Sequence, residues 1–266
     1  MSLIKNKSTI NDFHEQWICF QEQYGVYASE DFFWDYFGPL LKKTELKDKD
    51  IAEIGCGNGR FVKIFSRYAN RAVGYEPSGA IDVARRYCHD DKNINFYQTS
   101  IYDITERSTY DVILCLGVLH HLPDPLQALV KMKSMLKPGG ICCVWVYGRE
   151  GNGLYLGIFK PLMYITSRLP HKVLNSISFI LALIVKIYSK LVYFSHYLPW
   201  PMKNYMLNIV DKLDFYHLKL GVYDQLNPSI ANYYTRSQIE ELARQAGFIV
   251  IGSYHRHGYS WTVKLI

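Results

Sequence analysis

A carboxylate and three glycines follow a short apolar segment near residue 50, in a spacing that suits a small charged ligand. The run Ile51–Phe61 places Glu53 ahead of a loop that contains Gly55, Gly57, Gly59 and, as a small filler residue rather than a nucleophile, Cys56. Glycines at such a turn let a ligand approach the backbone closely. Dinucleotide sites use the spacing G-x-G-x-x-G, whereas this loop reads G-x-G-x-G. The carboxylate would repel a pyrophosphate, but it suits a ligand that carries an ammonium group.

A second acidic residue stands at the end of the next apolar segment. Gly74–Ser78 contains Glu76 followed by Pro77. An acidic residue at this strand end typically accepts hydrogen bonds from both ribose hydroxyls of a bound nucleotide. Glu76 therefore indicates an adenosine-containing ligand, and by itself it does not separate a nicotinamide dinucleotide from other adenosine ligands.

Two adjacent histidines, His120 and His121, follow the apolar run Asp111–Leu116. Their position favours His121 as a general base or substrate contact, because imidazole titrates near neutral pH. The alternative for both residues is structural, in packing or in capping the turn that follows. The pair has no third partner at a useful spacing, so it does not predict a metal site.

These residues have to be positioned by an alternation of short strands and helices that begins at residue 50. Strands are predicted at 50–54, 71–76, 95–98, 111–116 and 141–147, with helices between them at about 60–67, 78–88 and 125–135. Such alternation indicates a parallel sheet with right-handed crossovers. A helix at 236–246 and the segments 248–254 and 259–266 complete the pattern. The last connection is too short for a parallel return, so the final strand must be antiparallel.

The order of these motifs resembles the class I S-adenosylmethionine-dependent methyltransferases, with a type 11 methyltransferase domain of the UbiE and UbiG kind. Besides the loop after Glu53 and the acid at Glu76, Tyr110–Pro125 resembles the fourth-strand motif of that family, and Leu136–Gly140 resembles its turn into strand five. Tyr234–Phe248 is similar to the final helix and its turn. The resemblance implies an α/β fold: a Rossmann-like, seven-stranded, mostly parallel sheet with an antiparallel last strand and a helical cap insert.

The resemblance also implies roles for individual residues around S-adenosylmethionine and its product, S-adenosylhomocysteine. The glycine loop would pack against the amino-acid part of the cofactor, Glu53 would bind its ammonium group through water, and Glu76 would hold the ribose. The segment 99–102, with Ser100 and Ile101, would face the adenine. The family often has an aspartate where this chain has Ser100, so that contact should be weaker. The methionine part would contact Leu116 and Gly117.

Residues outside this core supply further candidates. Tyr27 lies in a segment that closes over the cofactor in this fold, where it would touch the carboxylate or methyl group, with ordinary aromatic packing as an equal alternative. Arg60 is a candidate for the cofactor carboxylate or is a solvated residue. Three residues that lead back toward the active face are predicted substrate contacts: Asp224, Asn227 and Tyr233.

The chain divides into three predicted parts: a helical cap segment at 1–49, a methyltransferase domain at 50–147 and 231–266, and a helical substrate cap at 148–230. The positive charge is concentrated in the third part. Residues 151–230 hold eight basic and three acidic groups within a net charge of +6 for the whole chain. A helix after Pro170 has lysines at 172, 186 and 190 on one side and large apolar residues on the other. Two interpretations stay open: a cap helix with a buried apolar face and solvated lysines, or peripheral membrane contact through 171–194.

Six cysteines without a C-x-x-C pair indicate a reduced, cytoplasmic protein without zinc or disulfides, peripheral at the inner membrane face if the helix binds lipid. The resemblance predicts O- or N-methylation of a small-molecule, lipid or glycan acceptor, which is amphipathic if it comes from a bilayer. Three alternatives stay open: a non-catalytic, cofactor-binding homologue, a nucleic-acid methyltransferase and an NAD-dependent oxidoreductase. Nucleic acid is not an expected partner, because a dense basic patch is missing. The sequence does not predict an oligomeric state.

Overall fold

The computed structural model describes residues 2–266, with the side chains of residues 9–153 and 155–266. Seven strands form one sheet, as predicted. They are β1 (Asp50–Ile54), β2 (Arg71–Tyr75), β3 (Ile94–Tyr97), β4 (Tyr110–Leu116), β5 (Leu136–Tyr147), β6 (Val250–Arg256) and β7 (Ser260–Leu265). The described helices are α1 (Ser2–Cys19), α2 (Glu30–Asp35), α3 (Lys43–Leu46), α4 (Arg60–Phe65), α5 (Ala80–Tyr87), α6 (Pro125–Met135), α7 (Gly153–Thr166), α8 (His171–Phe194), α9 (Lys203–Tyr205), α10 (Phe215–Leu226) and α11 (Arg236–Gln245).

The strand order is β3-β2-β1-β4-β5-β7-β6. The first five strands pair in parallel, and β7 runs antiparallel to both β5 and β6, which confirms the Rossmann-like fold class with an antiparallel last strand. The strand order changes direction at β1, because β2 and β4 lie on opposite sides of it. In open α/β sheets, the crevice beyond the carboxyl ends of the strands at such a point is where ligands bind.

The sheet is buried on both faces, as the apolar runs of its central strands predict. One apolar cluster contains Ile51, Leu114 and Cys143 and continues into the residues of α4, α8 and α10. The other contains Ile54, Val144 and side chains of α6 and α11. The six cysteines are all free thiols, and Cys19 alone among them is exposed.

The N-terminal segment packs over the carboxyl ends of the strands. Helix α1 contacts α5, and α2 is joined to the β6–β7 hairpin through Asp35, which binds both Arg256 and His257. Helix α2 ends at Asp35, and Gly38 with a φ of +52° leads the chain into a turn. The segment 1–49 therefore contributes a wall to the carboxyl-end crevice.

Residues 148–230 contain α7 to α10, in agreement with a helical insert, although the three-part division of the chain stays a prediction. Helix α8 departs from the expected cap helix with a buried apolar face. Its described buried side chains are Leu174, Ser178, Ala182, Ser189 and Val192. Nine large apolar residues of the same helix are exposed, and they are Val173, Phe179, Ile180, Leu183, Ile184, Ile187, Leu191, Tyr193 and Phe194.

Two of the lysines that were expected to be solvated also contact the protein, and the Lys190 side chain stays 49% exposed. Lys186 Nζ donates to the carbonyl oxygen of Leu213 at 2.7 Å and lies 3.3 to 3.4 Å from those of Asp211 and Val210. Lys190 Nζ forms an ion pair with Asp211 at 2.6 Å. The carbonyl groups that follow the π-helical turn Met206–Val210 accept these contacts, because cations are favoured at the carbonyl end of a helical turn.

Candidate functional site

A cavity of about 310 Å³ opens at the carboxyl ends of β1, β2, β4 and β5. It is lined mainly by apolar and aromatic side chains. Most of the predicted site residues line it, namely Tyr27, Gly55, Gly57, Glu76, Pro77, Ser100, Ile101, Leu116, Gly117, His121, Asp224 and Tyr233. Five predicted residues do not line it, and these are Glu53, Cys56, Gly59, His120 and Asn227.

The three positions Gly55, Gly57 and Gly59 leave little room for a side chain, which explains why glycine occupies them. Gly55 has a φ of +69°, and a Cβ atom there would lie 2.3 Å from Cγ2 of Val118. Gly59 has a φ of +79°, and its Cβ atom would lie 2.8 Å from that of Ala84. A side chain at Gly57 would meet the ring of Trp17 of α1 at 3.1 Å. The loop can therefore expose bare backbone toward a ligand, as the sequence predicts.

Glu76 is held rigidly at the edge of the cavity. Its Oε2 accepts a hydrogen bond from the Gly57 N–H at 3.1 Å, and its Oε1 accepts one from the Ser78 N–H at 3.0 Å. Burial raises the pKa of this carboxyl, and the hydrogen bonds from Ser78 and Gly57 oppose that shift. Each oxygen has a further lone pair, so the carboxylate can still accept hydrogen bonds from a diol.

Glu53 lies beneath the loop rather than in the cavity, and it is only 2% exposed. Its Oε2 has no hydrogen-bond partner among the described residues. Burial raises the pKa of Glu53 well above its usual range, Arg60 opposes the shift and Glu76 adds to it. A buried carboxylate without a partner is costly, so a cation brought near the loop would relieve that cost. This unpaired carboxylate, together with the bare glycine loop, fits a ligand with an ammonium group.

Arg60 and Tyr27 form one unit at the side of the cavity. The Arg60 guanidinium lies 3.7 Å from the centre of the Tyr27 ring, and its Nη1 donates to the carbonyl oxygen of Tyr27 at 2.9 Å. The opposite face of Tyr27 stacks on His217 at 4.4 Å. Burial raises the pKa of Tyr27 to about 12, although Arg60 opposes the shift, so the phenol stays neutral. Both residues line the cavity, where they can contact a carboxylate or a methyl group.

Cys56 and Ser100 complete the cofactor side. Burial raises the pKa of the Cys56 thiol well above its usual range, with Glu76 and Glu53 adding to the effect. A thiol that remains protonated and does not reach the cavity is not a nucleophile. Ser100 lines the cavity, and its Oγ lies 3.4 Å from the backbone nitrogen of Tyr102.

The two histidines differ sharply in their surroundings. His120 is fully buried, its ring lies 3.8 Å from that of Tyr147, and neither ring nitrogen has a hydrogen-bond partner among the described side chains and backbone groups. His121 lines the cavity, and its Nδ1 lies 2.6 Å from the carbonyl oxygen of Ile230. A carbonyl can only accept, so Nδ1 carries the proton and Nε2 has the free lone pair.

Burial lowers the pKa of both rings. The effect is larger for His120, to which the neighbouring His121 adds. For His121, the charge of Asp224 and the Ile230 carbonyl oppose the shift. Both imidazoles are therefore neutral at pH 7. The described part of the chain contains no cluster of three or more His, Cys, Asp or Glu residues able to hold a metal ion.

A polar cluster that the sequence did not reveal lies beside His121. Asp224 accepts hydrogen bonds from Tyr147 at 2.8 Å and from Gln16 at 2.9 Å. Gln225 donates to the Tyr147 oxygen at 2.7 Å and accepts from Tyr155 at 2.6 Å. All five residues line the cavity. They come from α1, β5, α7 and α10, so no local sequence motif indicates that they lie close together.

The other two predicted substrate contacts are placed differently. Tyr233 lines the cavity, and its ring stacks on Tyr147 at 5.4 Å. Asn227 is buried away from the cavity, and its Nδ2 donates to the backbone oxygen of Asp12 at 2.7 Å. Asn227 thereby fixes α1 against the end of α10.

Comparisons with known proteins identify the family of the domain that carries these residues. A family model described as a methyltransferase domain matches residues 52–144. The chain is 34% identical over 108 residues to a tRNA U34 carboxymethyltransferase of Campylobacter fetus, a match that covers 39% of this chain and 38% of that protein. It is 31% identical over 137 residues to a ubiquinone biosynthesis O-methyltransferase of Actinobacillus pleuropneumoniae, which covers 48% of this chain and 58% of that protein. The chain thus matches about 40 to 60% of the length of these curated relatives.

The fold is shared over the whole chain with a solved structure titled as a DhpI–SAH complex. The TM-score is 0.62 at 13% identity, and the match covers 100% of this chain and 98% of that one. The family model covers the glycine loop, Glu76, the histidine pair and most of β5, which are the segments that carry the sequence resemblance. Residues 52–144 therefore belong to the methyltransferase domain family, and the chain carries an S-adenosylmethionine-dependent methyltransferase domain of class I.

Proposed function

We propose that this protein transfers a methyl group from S-adenosylmethionine to a hydroxyl or amine of a small amphipathic acceptor. The observation that carries the proposal is a single cavity. It joins the glycine loop to the polar cluster around Asp224 within an otherwise aromatic and apolar wall. Buried pockets of this kind suit compact ligands with few polar groups. S-adenosylmethionine, when bound, supplies an electrophilic methyl group and a neutral leaving group.

The chain positions the acceptor and removes its proton. His121 is the proposed base, because the free lone pair of Nε2 belongs to a neutral ring that lines the cavity beside Asp224. Asp224 and Tyr147 would orient the acceptor group. The Asp224 carboxylate would also stabilise the imidazolium that forms when His121 takes the proton. Glu76, Tyr27 and Arg60 would hold the cofactor on the other side. Val118 and Leu116 exclude water between the two halves.

Transfer of a labelled methyl group tests the proposal. The protein is incubated with methyl-tritiated S-adenosylmethionine and, in parallel, with a bacterial lipid and small-molecule extract or with bulk bacterial tRNA. We expect label in the organic-soluble fraction. His121→Gln should abolish it, while His120→Gln, at the buried neighbour, should reduce it through stability alone. Label in tRNA only, or no binding of S-adenosylhomocysteine by calorimetry, would refute the proposal.

We further propose that the outward face of α8 binds a lipid surface peripherally. Helix α8 has the length and hydropathy of a membrane-spanning helix, yet only 22% of its most apolar 18-residue window is buried. Leu174 and Val192 face the protein, while Ile180 is 58% exposed and Phe194 is 77% exposed. A soluble helix normally keeps its large apolar residues on the buried side and polar residues on the other. Exposed apolar residues of this extent mark an interaction surface.

The charge around this face is complementary to an anionic membrane. Residues 151–210 contain no acidic residue and six basic ones. Lys160, Arg168 and Lys172 are exposed. Bilayers with anionic lipids attract such segments, and tyrosine and tryptophan favour the headgroup region. Helix α8 lies on the membrane rather than across it, because the contacts of Lys186 and Lys190 fasten one side of it to the protein.

Vesicle flotation tests this surface. Ile180→Gln/Ile184→Gln removes two half-exposed side chains, each worth about 1 kcal/mol when transferred to lipid, so partitioning should fall about thirtyfold. Ile249→Gln/Ile251→Gln removes two similarly exposed isoleucines at the start of β6 and serves as the matched control. We expect wild type and control to float with vesicles that contain phosphatidylglycerol. Failure of the wild type to float, or equal flotation of both variants, would disprove the lipid contact.

A further inference from the structure

A buried arginine ends β6 beside the cavity. Arg256 is 2% exposed and lines the cavity. Its Nε donates to Oδ2 of Asp35 at 2.8 Å, and its Nη2 forms an ion pair with the same oxygen at 2.7 Å. Even so, Nη2 is buried without a hydrogen-bond partner among the described residues. One carboxylate oxygen thus faces two guanidinium nitrogens and accepts a hydrogen bond from Nε alone.

The carboxylate that faces Arg256 is shared. Asp35 also lies 2.8 Å from Nε2 of His257, so one negative charge serves two basic groups. A desolvated guanidinium with an unused donor favours an anionic partner, because its own hydration has been lost. The ion pair with Asp35 therefore neutralises the Arg256 guanidinium only in part.

Aromatic groups surround the unused donor. The guanidinium lies 3.9 Å from the centre of the Tyr36 ring. The hydroxyl of Tyr259 is buried and has no hydrogen-bond partner in the described part of the chain, although Tyr259 lines the cavity. The ring of Tyr205 meets that of Tyr259 edge-on at 4.5 Å. A buried hydroxyl and a buried guanidinium, both lacking a partner, mark a place where a ligand would complete the hydrogen bonds.

This place borders the proposed cofactor site. Four strand spacings separate β6 from β1, which amounts to about 19 Å between their backbones, but the side chains reach toward each other. Arg60 is the basic residue next to the glycine loop, and Tyr36 lies between Arg60 and Arg256. A test of Arg256 therefore has to measure the binding of S-adenosylhomocysteine as well.

We propose that the Arg256 guanidinium and the Tyr259 hydroxyl bind an anionic oxygen group of the acceptor, so the acceptor is an acid with an aromatic or apolar body. This inference rests on the proposed function, because it concerns the acceptor of the same cavity. It narrows the acceptor class from any amphipathic molecule to one with a carboxylate or a similar anion. The apolar wall accommodates the body, and the anion determines the orientation.

Two isosteric probes that differ in charge test the inference. Naphthalene-2-carboxylate and naphthalene-2-carboxamide are titrated by calorimetry into protein saturated with S-adenosylhomocysteine. We expect the wild type to bind the carboxylate about tenfold more tightly than the amide. Arg256→Gln should abolish that preference and leave amide affinity unchanged. Tyr259→Phe keeps the Asp35 pair intact and should lower carboxylate affinity about fivefold, whereas Tyr254→Phe, on β6 of the same hairpin and not in the cavity lining, should have no effect.

Several outcomes would overturn the inference. They are equal affinity for the two probes, no binding of either, or a preference that survives in both Arg256→Gln and Tyr259→Phe. Weaker binding of S-adenosylhomocysteine by Arg256→Gln would assign the arginine to the cofactor instead. Failure of the wild type to bind S-adenosylhomocysteine would refute the proposed function itself, which distinguishes the two results.

Discussion

Replacing Gly55 by alanine tests the reasoning on the glycine loop most directly, because the structure separates two costs. The first cost is the left-handed backbone at a φ of +69°, and the second is a Cβ atom placed 2.3 Å from Cγ2 of Val118. Gly139 supplies the matched control. It has a similar φ of +75°, and nothing lies within 4 Å of the Cβ atom that alanine would add.

The magnitudes follow from these geometries. Left-handed backbone costs a residue other than glycine about 1 kcal/mol, so Gly139→Ala should lower the melting temperature by about 2 °C. Gly55→Ala adds overpacking worth about 2 kcal/mol, which brings the total to about 3 kcal/mol and about 6 °C. Val118 lines the cavity, so a displaced Val118 should also weaken the binding of S-adenosylhomocysteine at least tenfold.

Thermal unfolding and calorimetric titration measure both effects. The double variant Gly55→Ala/Val118→Ala removes the clashing Cγ atoms and should recover binding, with a coupling energy of about 2 kcal/mol in a double-mutant cycle. If Gly55→Ala is no more destabilising than Gly139→Ala and binds the cofactor product normally, the close approach of Val118 does not constrain the loop. The account of why glycine occupies position 55 would then be wrong.

Three further predictions concern charged groups. Glu76→Gln removes one charged acceptor from the proposed ribose site, so S-adenosylhomocysteine should bind about thirtyfold more weakly by calorimetry, a loss of about 2 kcal/mol; unchanged affinity would rule out that contact. The folded-state pKa of Glu53 is raised, so the cofactor-free protein should lose stability as the pH rises above about 4.5, the usual pKa of a glutamate, toward that raised value. Glu53→Gln should flatten this loss in urea titrations, and an unaltered pH profile would contradict the burial argument. The pKa of His121 is lowered, so the rate of methyl transfer should fall only below about pH 6.5. His121→Gln should reduce kcat about a hundredfold or more and should remove this fall at acidic pH. If the fall persists in the variant, the base is another group.

Much of the fold was predictable because it depends on local patterns. Strands β1, β2 and β4 and helix α6 lie within a residue or two of their predicted bounds, since apolar runs and turn residues mark them. The short connection between residues 256 and 260 dictates an antiparallel hairpin, and the structure confirms it. Sequence periodicity predicted an amphipathic helix at α8. It did not show that nine large apolar residues of this helix are exposed, because the exposure of a helix face depends on what packs against it.

The sequence alone determined the methyltransferase domain, the glycine loop and Glu76, because these features are contiguous and their spacing reflects local backbone geometry. Only the tertiary structure revealed the proposed acceptor side. Asp224, Tyr147 and Arg256 come from distant segments, and the packing of α10 and the β6–β7 hairpin against the sheet brings them to one cavity. The orientation of Lys186 toward the carbonyls near Leu213 was likewise decided by packing. Long-range contacts of this kind follow from the burial of apolar surface. Composition and periodicity show that a segment has apolar surface, but they do not show which other segment covers it.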